Sequence, residues 1–514
     1  MNRISPLLNF ILLHHYKYAA PLFSGLIIIL AFPPFDQGYL AWVALIPLFW
    51  TCLNSTKVDA FKAGFLFSLP FTLYVNYYLT HVLYPYLPDL LATIAMISMV
   101  LYISLFYGLF GLAANLAGRP GRVWFTALAL PSLWMLVEYL RSLTFLAYNV
   151  GYLGYTQWGY PGLLNIASVY GYWGLPFIMV FFQTILILFL IRKLQGRQLI
   201  AISSVFAIIL FLGLTIPALQ EVSQEDEPLY TALIQGNIKT ERIINTNRQN
   251  TLEYYLDLTR QAIKEEPKTE LVVWPETIVH LDFRATRSHP EELVKMGKEY
   301  GIDLLYGARI QNNGDLYNSV TLFSEEQQNI PVYNKHRLVP FVEFFPAEQL
   351  LNRILQLDLL LGSYTPGQEI TIFNVNGIPV AGVVCFESYF GDHMRLFANK
   401  GAKHQFIVTN DAWFKESIGL DQHAQAAAIR AAEIGTGVTQ VANSGITISY
   451  DYRGREVFRS GKSEAAIFTI PLDLSGRETL YNRFGDYFPA FWAIFLVIAA
   501  PYIIVTARRE NSLL

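Results

Sequence analysis

The sequence predicts a membrane domain of about eight helices joined to an extracytoplasmic α/β domain. Of its 514 residues, 53% are hydrophobic and only 15% are charged. This composition excludes a disordered chain and disfavours a purely soluble protein. Only 14 charged residues lie in the first 220 positions, and all the others follow. The chain therefore divides into an apolar first part and a second part with the composition of a globular domain.

Apolar runs long enough to cross a bilayer recur through the first part and return near the C-terminus. A transmembrane helix needs about 17 to 25 such residues. The candidate spans are 19–35, 38–54, 63–83, 90–116, 123–140, 173–191, 199–218 and 489–507. Residues 4–13 predict a separate, short interfacial helix. We therefore expect a seven-span domain at 1–219, a soluble domain at 220–488, and a C-terminal span with a cytoplasmic tail at 489–514.

Lysine and arginine residues predict the orientation, because short loops rich in these residues stay in the cytoplasm. Eleven of them fall in alternate loops, whereas the intervening loops contain only Arg141. The eleven are Arg3, Lys17, Lys57, Lys62, Arg119, Arg122, Arg192, Lys193, Arg197, Arg508 and Arg509. Both termini are therefore expected in the cytoplasm and the soluble domain in the periplasm.

Ionisable residues inside the predicted spans are few, and Glu138 with Arg141 is the pair of most interest. A spacing of three residues places both on one helical face. The pattern favours a self-neutralising pair at the membrane edge over a transport role, because no span carries the repeated charges of a pump.

The charge and the cysteine content exclude several other classes. A net charge of −3 supplies no basic field for nucleic acid. Cys52 lies in an apolar run and Cys385 lies far away in the globular part, so we expect neither a disulfide framework nor a cysteine metal cluster.

The second part alternates short apolar strands with helical stretches, which predicts α/β layers arranged as a sandwich. The expected strands are 271–274, 303–306, 317–323, 332–334, 380–385 and 405–409. The expected helices are 247–265, 290–300, 388–401 and 421–434.

Cys385 ends the apolar run 380–384 and precedes a helix expected to begin near Ser388. A thiol between a strand and a helix N-terminus is placed where backbone N–H groups and the helix dipole favour the thiolate. This is the position of a nucleophile. A free cysteine is also among the residue types most often buried for packing alone, and this residue by itself does not separate the two interpretations.

Glu276 and Lys335 end two other strands, and Pro275 is expected to stop the first of these strands. Individually each fits a solvated surface charge. Together with Cys385 they supply a base, a cation and a thiol at strand ends that a sandwich can bring to one edge. That set predicts covalent catalysis: the base takes the thiol proton, the thiolate attacks a carbonyl, and the cation stabilises the oxyanion.

Three segments resemble the Glu-Lys-Cys signature of the nitrilase superfamily: Trp274-Pro275-Glu276, Lys335 to Phe341 with Glu343, and Cys385-Phe386-Glu387. Together with eight spans, the whole chain resembles the apolipoprotein N-acyltransferase family of the bacterial inner membrane. Further matching segments are Gln235-Gly236-Asn237, Thr409 to Phe414, Gln422-His423 with Arg430 and Glu433, Asn443-Ser444-Gly445, Glu138 to Arg141, and Leu153 to Gln157. The sequence departs from the family pattern at Val342, Phe344, Phe386, Asn149-Val150 and Ile244.

The resemblance implies a nitrilase-like αββα sandwich in the periplasm, on a multi-pass protein of the inner membrane. It implies transfer of an acyl chain from a phospholipid to the N-terminal diacylglyceryl-cysteine of an apolipoprotein, the last step of lipoprotein maturation. Glu276, Lys335 and Cys385 would be catalytic, with Glu343 and Glu387 in support. No cofactor, metal or nucleic acid is expected.

Two other functions are compatible with parts of this pattern. A membrane-tethered carbon–nitrogen hydrolase would use the same three residues with water as acceptor, although eight spans exceed what a tether needs. A transporter or receptor with a non-catalytic periplasmic domain would leave the three residues unexplained. Residues 344–361 predict a helix with one apolar face, which fits either a membrane-contacting lid or a helix packed on its own domain.

Overall fold

The computed structural model describes residues 6–84, 87–118, 123–143, 147–223, 227–238, 248–285, 287–327, 329–340, 342–344 and 364–511. The chain forms two compact units. The first unit comprises Met1–Thr80, Asp89–Leu219 and Asp486–Leu514, and the second comprises His81–Pro88 and Gln220–Gly485.

The α-helices of the described residues are numbered in chain order. They are α1 (Pro6–Ile29), α2 (Ile46–Asn54), α3 (Lys57–Asn76), α4 (Leu79–Leu83), α5 (Asp89–Gly118), α6 (Val123–Leu143), α7 (Pro161–Leu164), α8 (Ile166–Tyr170), α9 (Gly174–Leu190), α10 (Gly196–Leu219), α11 (Arg248–Glu265), α12 (Glu291–Tyr300), α13 (Gly391–Asn399), α14 (Ile418–Ile434), α15 (Leu480–Phe484) and α16 (Tyr487–Asn511).

The first unit is helical and apolar, as predicted. Four of its helices, α3, α5, α6 and α10, are long and apolar enough to cross a membrane, and α7–α9 add a fifth span if this segment, bent by 108°, crosses once. Shorter apolar helical segments cover Tyr16–Ile29, Gly38–Asn54 and Tyr487–Ala499. The count of eight spans therefore stays a prediction. The prediction of a separate helix at 4–13 is wrong, because α1 runs unbroken from Pro6 to Ile29.

Close helix packing in the first unit depends on small residues. A Cβ atom added to Gly64 of α3 would lie 1.9 Å from the Tyr107 carbonyl oxygen of α5. Glycine thus lets the two backbones approach closely, which is how helices associate where no hydrophobic driving force acts between them.

Glu138 and Arg141 are buried inside the first unit, at 0% and 4% exposure, and their position relative to the membrane edge stays a prediction. Glu138 Oε1 accepts hydrogen bonds from Trp134 Nε1 and from Leu153 N, both at 3.0 Å. The Arg141 guanidinium lies 4.6 Å from the centre of the Tyr152 ring. These contacts connect α6 to the segment that follows it, so both charges have a structural role in the described network.

The second unit contains fourteen strands among the described residues. They are β1 (Val222–Ser223), β2 (Leu229–Gln235), β3 (Leu271–Asp282), β4 (Asp303–Asn312), β5 (Asp315–Phe323), β6 (Val332–Asn334), β7 (Phe373–Val375), β8 (Ile378–Val384), β9 (His404–Thr409), β10 (Gly437–Ala442), β11 (Ile448–Tyr450), β12 (Glu456–Arg459), β13 (Ala466–Leu472) and β14 (Gly476–Arg477).

Two six-stranded sheets form the centre of this unit. Their strand orders are β13-β2-β3-β4-β5-β6 and β12-β11-β10-β9-β8-β7, and β1 pairs with β14 in a small separate sheet. Helix α11 packs on the first large sheet and α14 on the second, while β5 packs against β8 and β3 against β9. The unit is therefore an αββα sandwich, and this part of the predicted fold is confirmed. Strands β2–β4 are parallel, as are β8–β10, so their carboxyl ends share an edge.

Strand β3 differs from its prediction at Pro275. It continues to Asp282, but its register on β4 shifts between Trp274 and Val279, and Thr277 has a φ of +60°. The proline removes one ladder hydrogen bond without ending the strand, and the irregularity carries Glu276.

Gly307 of β4 makes room for this irregularity. A Cβ atom at Gly307 would lie 2.3 Å from the Pro275 carbonyl oxygen and 2.5 Å from Glu276 Cα. Because both obstacles are backbone atoms, any side chain here would displace the segment that carries Glu276.

We predict that Gly307→Ala destabilises the second unit by about 1 to 3 kcal/mol, since overpacking must move backbone. Alkylation of Cys385 by iodoacetamide should change at the same time, because Glu276 is displaced. Thermal unfolding and the rate of alkylation measure the two effects. Gly162→Ala is the control, since its added methyl group meets nothing within 4 Å. Equal behaviour of the two variants would contradict the prediction.

Candidate active site

Lys335 lies between two glutamates at the edge of the first sheet. Its Nζ lies 2.8 Å from Glu343 Oε2 and 3.9 Å from Glu276 Oε1. The Asn318 amide donates to Oε1 of both glutamates, at 2.7 Å to Glu276 and 2.8 Å to Glu343. Backbone N–H groups complete the cluster, from Asn410 to Glu276 at 3.0 Å and from Val339 to Glu343 at 2.8 Å.

The three charges in this cluster determine one another's protonation. Burial raises the pKa of Glu276, Lys335 opposes that rise, and the neighbouring Glu343 adds to it. Burial alone would lower the pKa of Lys335, but Glu343 and Glu276 raise it above its usual value. Lys335, 1% exposed, is therefore held as an ammonium, and Glu276 is a stronger base than an exposed glutamate.

Cys385 follows β8 directly in a left-handed backbone conformation, with a φ of +47°. A short 3₁₀ segment, Cys385–Tyr389, follows it, and the α-helix begins only at Gly391. The sequence predicted a strand, a turn and a helix, and it placed the helix three residues too early. A positive φ is uncommon outside glycine and marks a sharp turn that projects the side chain away from the sheet.

The environment of Cys385 favours the neutral thiol, contrary to the prediction from the helix dipole. Burial raises the pKa of Cys385 well above its usual value, Glu276 adds to the rise, and Lys335 offsets only part of it. The thiolate therefore forms only when a base receives the proton, and Glu276 is the carboxylate with the largest effect on the thiol.

Glu387 anchors the segments that carry Lys335 and Cys385. Its carboxylate accepts hydrogen bonds from Val384 N (3.0 Å), His336 N (2.8 Å), Arg337 N (3.1 Å) and Tyr333 Oη (2.7 Å), and lies 3.2 Å from His393 Nε2. Burial opposes its ionisation, but His393 and these donors lower the pKa of Glu387 to about 2. A carboxylate so fully occupied cannot exchange protons with a substrate, so its role is structural.

The structure brings Glu276, Lys335, Glu343 and Cys385 to one edge, with Glu387 behind them. Sequence reasoning missed Asn318, one of several polar residues in β5. It also assigned no role to Asn410 or to its neighbour Asp411, although both follow the parallel strand β9, where functional side chains are common. The predicted lid, 344–361, lies outside the described residues except for Phe344.

An αββα sandwich that brings together a glutamate from an irregularity in a strand, and a lysine and a cysteine from strand ends, defines a nitrilase-type enzyme. Residues 230–480 match the carbon-nitrogen hydrolase family. Among solved structures, Saccharomyces cerevisiae Nit3, a member of branch 10 of the nitrilase superfamily, is 18% identical with a TM-score of 0.39. The matched region covers 49% of this chain and 93% of the Nit3 chain.

The first unit shows which kind of nitrilase-type enzyme the chain resembles. Residues 24–185 match the N-terminal domain of apolipoprotein N-acyltransferase. Curated proteins of that name match nearly end to end: those of Geobacter metallireducens (28% identical, 96% of both chains), Methylococcus capsulatus (28%, 95% of this chain and 96% of the other) and Haemophilus influenzae (25%, 97% of both). The chain belongs to the apolipoprotein N-acyltransferase family, and it is an acyltransferase.

Glu343→Gln should move the acidic limb of the activity profile to lower pH. The base must be ionised, so its raised pKa makes activity fall as the pH drops through that value. Removing the Glu343 charge lowers the pKa of Glu276 twice, by deleting a like charge and by freeing Lys335 to pair with it. We expect a shift of about one pH unit or more, measured as the rate of acyl-enzyme formation against pH. An unmoved limb would show that Glu276 is not the titrating base.

Glu387→Gln should destabilise the second unit by roughly 3 kcal/mol, because several buried donors lose a charged acceptor. The contribution of Glu387 is present above about pH 4.3 and is lost as the pH falls towards about 2. The unfolding temperatures of wild type and variant should therefore differ at neutral pH and become equal in acid. Glu265→Gln, at the exposed end of α11, is the control and should unfold like wild type.

Proposed function

We propose that this protein transfers a fatty acyl chain from a membrane phospholipid, through a thioester on Cys385, to the α-amino group of the diacylated N-terminal cysteine of an apolipoprotein. The convergence of Glu276, Lys335 and the Cys385 thiol at one sandwich edge carries the proposal. The protein's membership of the apolipoprotein N-acyltransferase family favours an amine as the acceptor over water.

The first half-reaction uses the base to create the nucleophile. Glu276 takes the Sγ proton as the sulfur attacks the ester carbonyl carbon, and Lys335 stabilises the charge that develops on the carbonyl oxygen. The tetrahedral intermediate expels the lysophospholipid alkoxide, which receives the proton from Glu276. The acyl chain remains on Cys385 as a thioester.

The second half-reaction reverses these roles around the same carbon. The free amine of the acceptor attacks the thioester and passes a proton to Glu276, and Lys335 again stabilises the oxyanion. The Cys385 thiolate leaves and recovers its proton. Because the amide is more stable than the thioester, the two half-reactions need no energy from a nucleotide. Each acceptor consumes one acyl chain of a phospholipid.

The same proposal includes the membrane topology of the chain. Eight spans at the predicted positions would place both termini in the cytoplasm and residues 220–488 in the periplasm of an inner-membrane protein. The arginine and lysine distribution supports this orientation. Phospholipid and lipid-modified acceptor both reside in the bilayer, which is consistent with a catalytic domain built on membrane helices.

Incubation with vesicles of phosphatidylethanolamine should add one fatty-acyl mass to Cys385 and release lysophospholipid before any acceptor is present. Adding a synthetic diacylated lipopeptide should then discharge the thioester and acylate the peptide amine, giving ping-pong kinetics. Intact-protein mass spectrometry follows the first step, and peptide mass follows the second.

The two cysteines provide a matched pair of variants. Cys385→Ala should form no acyl-enzyme, whereas Cys52→Ala, in the other unit, should remain active. Lys335→Ala should slow the chemical step, because the oxyanion loses its cation. N-acylation by Cys385→Ala would refute the mechanism. Release of free fatty acid without acylation of the lipopeptide would favour a carbon–nitrogen hydrolase type of function with water as acceptor.

A further inference from the structure

A buried histidine of α14 contacts the backbone of the nucleophile. His423 Nδ1 lies 2.9 and 3.1 Å from the two carboxylate oxygens of Asp411. Its other nitrogen, Nε2, lies 3.2 Å from the carbonyl oxygen of Cys385 and 3.1 Å from Ser388 Oγ. The Tyr389 ring stacks on the imidazole at 5.5 Å. His423 is 1% exposed and Asp411 is fully buried.

These contacts lie where the Cys385 backbone is strained. The left-handed conformation is unfavourable for a non-glycine residue and persists only where its surroundings hold it. The Cys385 carbonyl oxygen accepts a hydrogen bond from a protonated His423 through Nε2–H, while Nδ1–H donates to Asp411. A neutral ring with its proton on Nδ1 would instead turn a lone pair towards that oxygen.

We propose that His423 is a positioning residue for the nucleophile: as an imidazolium paired with Asp411, it holds the Cys385 carbonyl and so fixes the turn that presents the thiol. It touches no reacting atom. This inference rests on the proposed function only for the assignment of Cys385 as the acylated residue.

The electrostatics of the pocket support the charged form of the ring. Burial opposes protonation, but Asp411 outweighs it and raises the pKa of His423 above its usual value. The other titratable groups around the ring are Cys385, Glu276 and Tyr389, on neighbouring segments. Because the imidazolium is the positioning form, the rate of Cys385 acylation should fall as the pH rises through the pKa of His423.

Two amide substitutions separate the contacts of the ring. His423→Gln places its amide nitrogen near the former Nε2 and keeps a donor for the Cys385 carbonyl at every pH. His423→Asn places its amide nitrogen near the former Nδ1, so it keeps the Asp411 contact and loses the Cys385 contact. Single-turnover acylation from phosphatidylethanolamine vesicles should be slowed about tenfold to a hundredfold in His423→Asn and clearly less in His423→Gln.

The pH profile distinguishes positioning from space filling. The alkaline decline of wild type should disappear in His423→Gln and should move to lower pH, by about one unit or more, in Asp411→Asn. His404→Gln is the matched control, because His404 is equally buried in the same unit but bonds to Thr439. That variant should keep the wild-type decline.

An independent reagent separates failure of this inference from failure of the proposed function. Alkylation of Cys385 by iodoacetamide at neutral pH should also be slower in His423→Asn than in His423→Gln, whatever the natural acyl donor is. If phosphatidylethanolamine acylates no form of the protein but alkylation follows this order, the positioning role stands and the proposed function fails. Equal alkylation of the two variants, or a wild-type alkaline decline retained by His423→Gln, would overturn the inference.

Discussion

A buried ammonium held between two carboxylates is the interaction on which the catalytic unit depends. Lys335 can remain charged in a low-dielectric interior only because Glu343 and Glu276 offset its desolvation. The lysine, in turn, opposes the rise that burial causes in the pKa of Glu276, whose carboxylate shares the Asn318 amide with Glu343. Removing Lys335 would leave two neighbouring buried carboxylates without their cation, whereas removing one glutamate would leave a single lysine–glutamate pair. The site is therefore a single electrostatic unit, and no member of it can be assigned an independent energy.

Burial and the neighbouring Glu276 carboxylate together explain why the thiol of Cys385 stays protonated. A thiolate at rest would add a second negative charge beside Glu276, so Cys385 stays protonated until its proton can move to the base. Proton transfer from sulfur to Glu276 leaves the net charge of the site unchanged. Lys335 then lies beside the developing oxyanion without any change in its own protonation.

Two buried anions behind the reacting groups have different tasks. Glu387 receives donors from the strand before Cys385 and from the turn after Lys335, and thereby fixes the spacing between the two segments. Asp411 instead acts through His423 on the Cys385 backbone. In the first unit, Glu138 and Arg141 provide a similar internal network around α6. Each of these buried charges contacts several partners, which agrees with the high desolvation cost of a buried charge.

The sequence by itself determined the local features: apolar segments, the αβ alternation, and a glutamate, a lysine and a cysteine that each follow a short apolar run. Hydrophobic patterning and the ends of apolar runs are local features, so they can be predicted without knowing which strands pair. The tertiary structure decided what depends on distant segments. Strand β13 pairs with β2 across more than two hundred residues, a choice that no local pattern encodes. Asn318 joins the two glutamates, and His423 reaches Cys385, only because the sandwich folds that way. The high pKa of Cys385 is likewise a property of its burial and of Glu276, and the helix that the local sequence suggested begins only at Gly391.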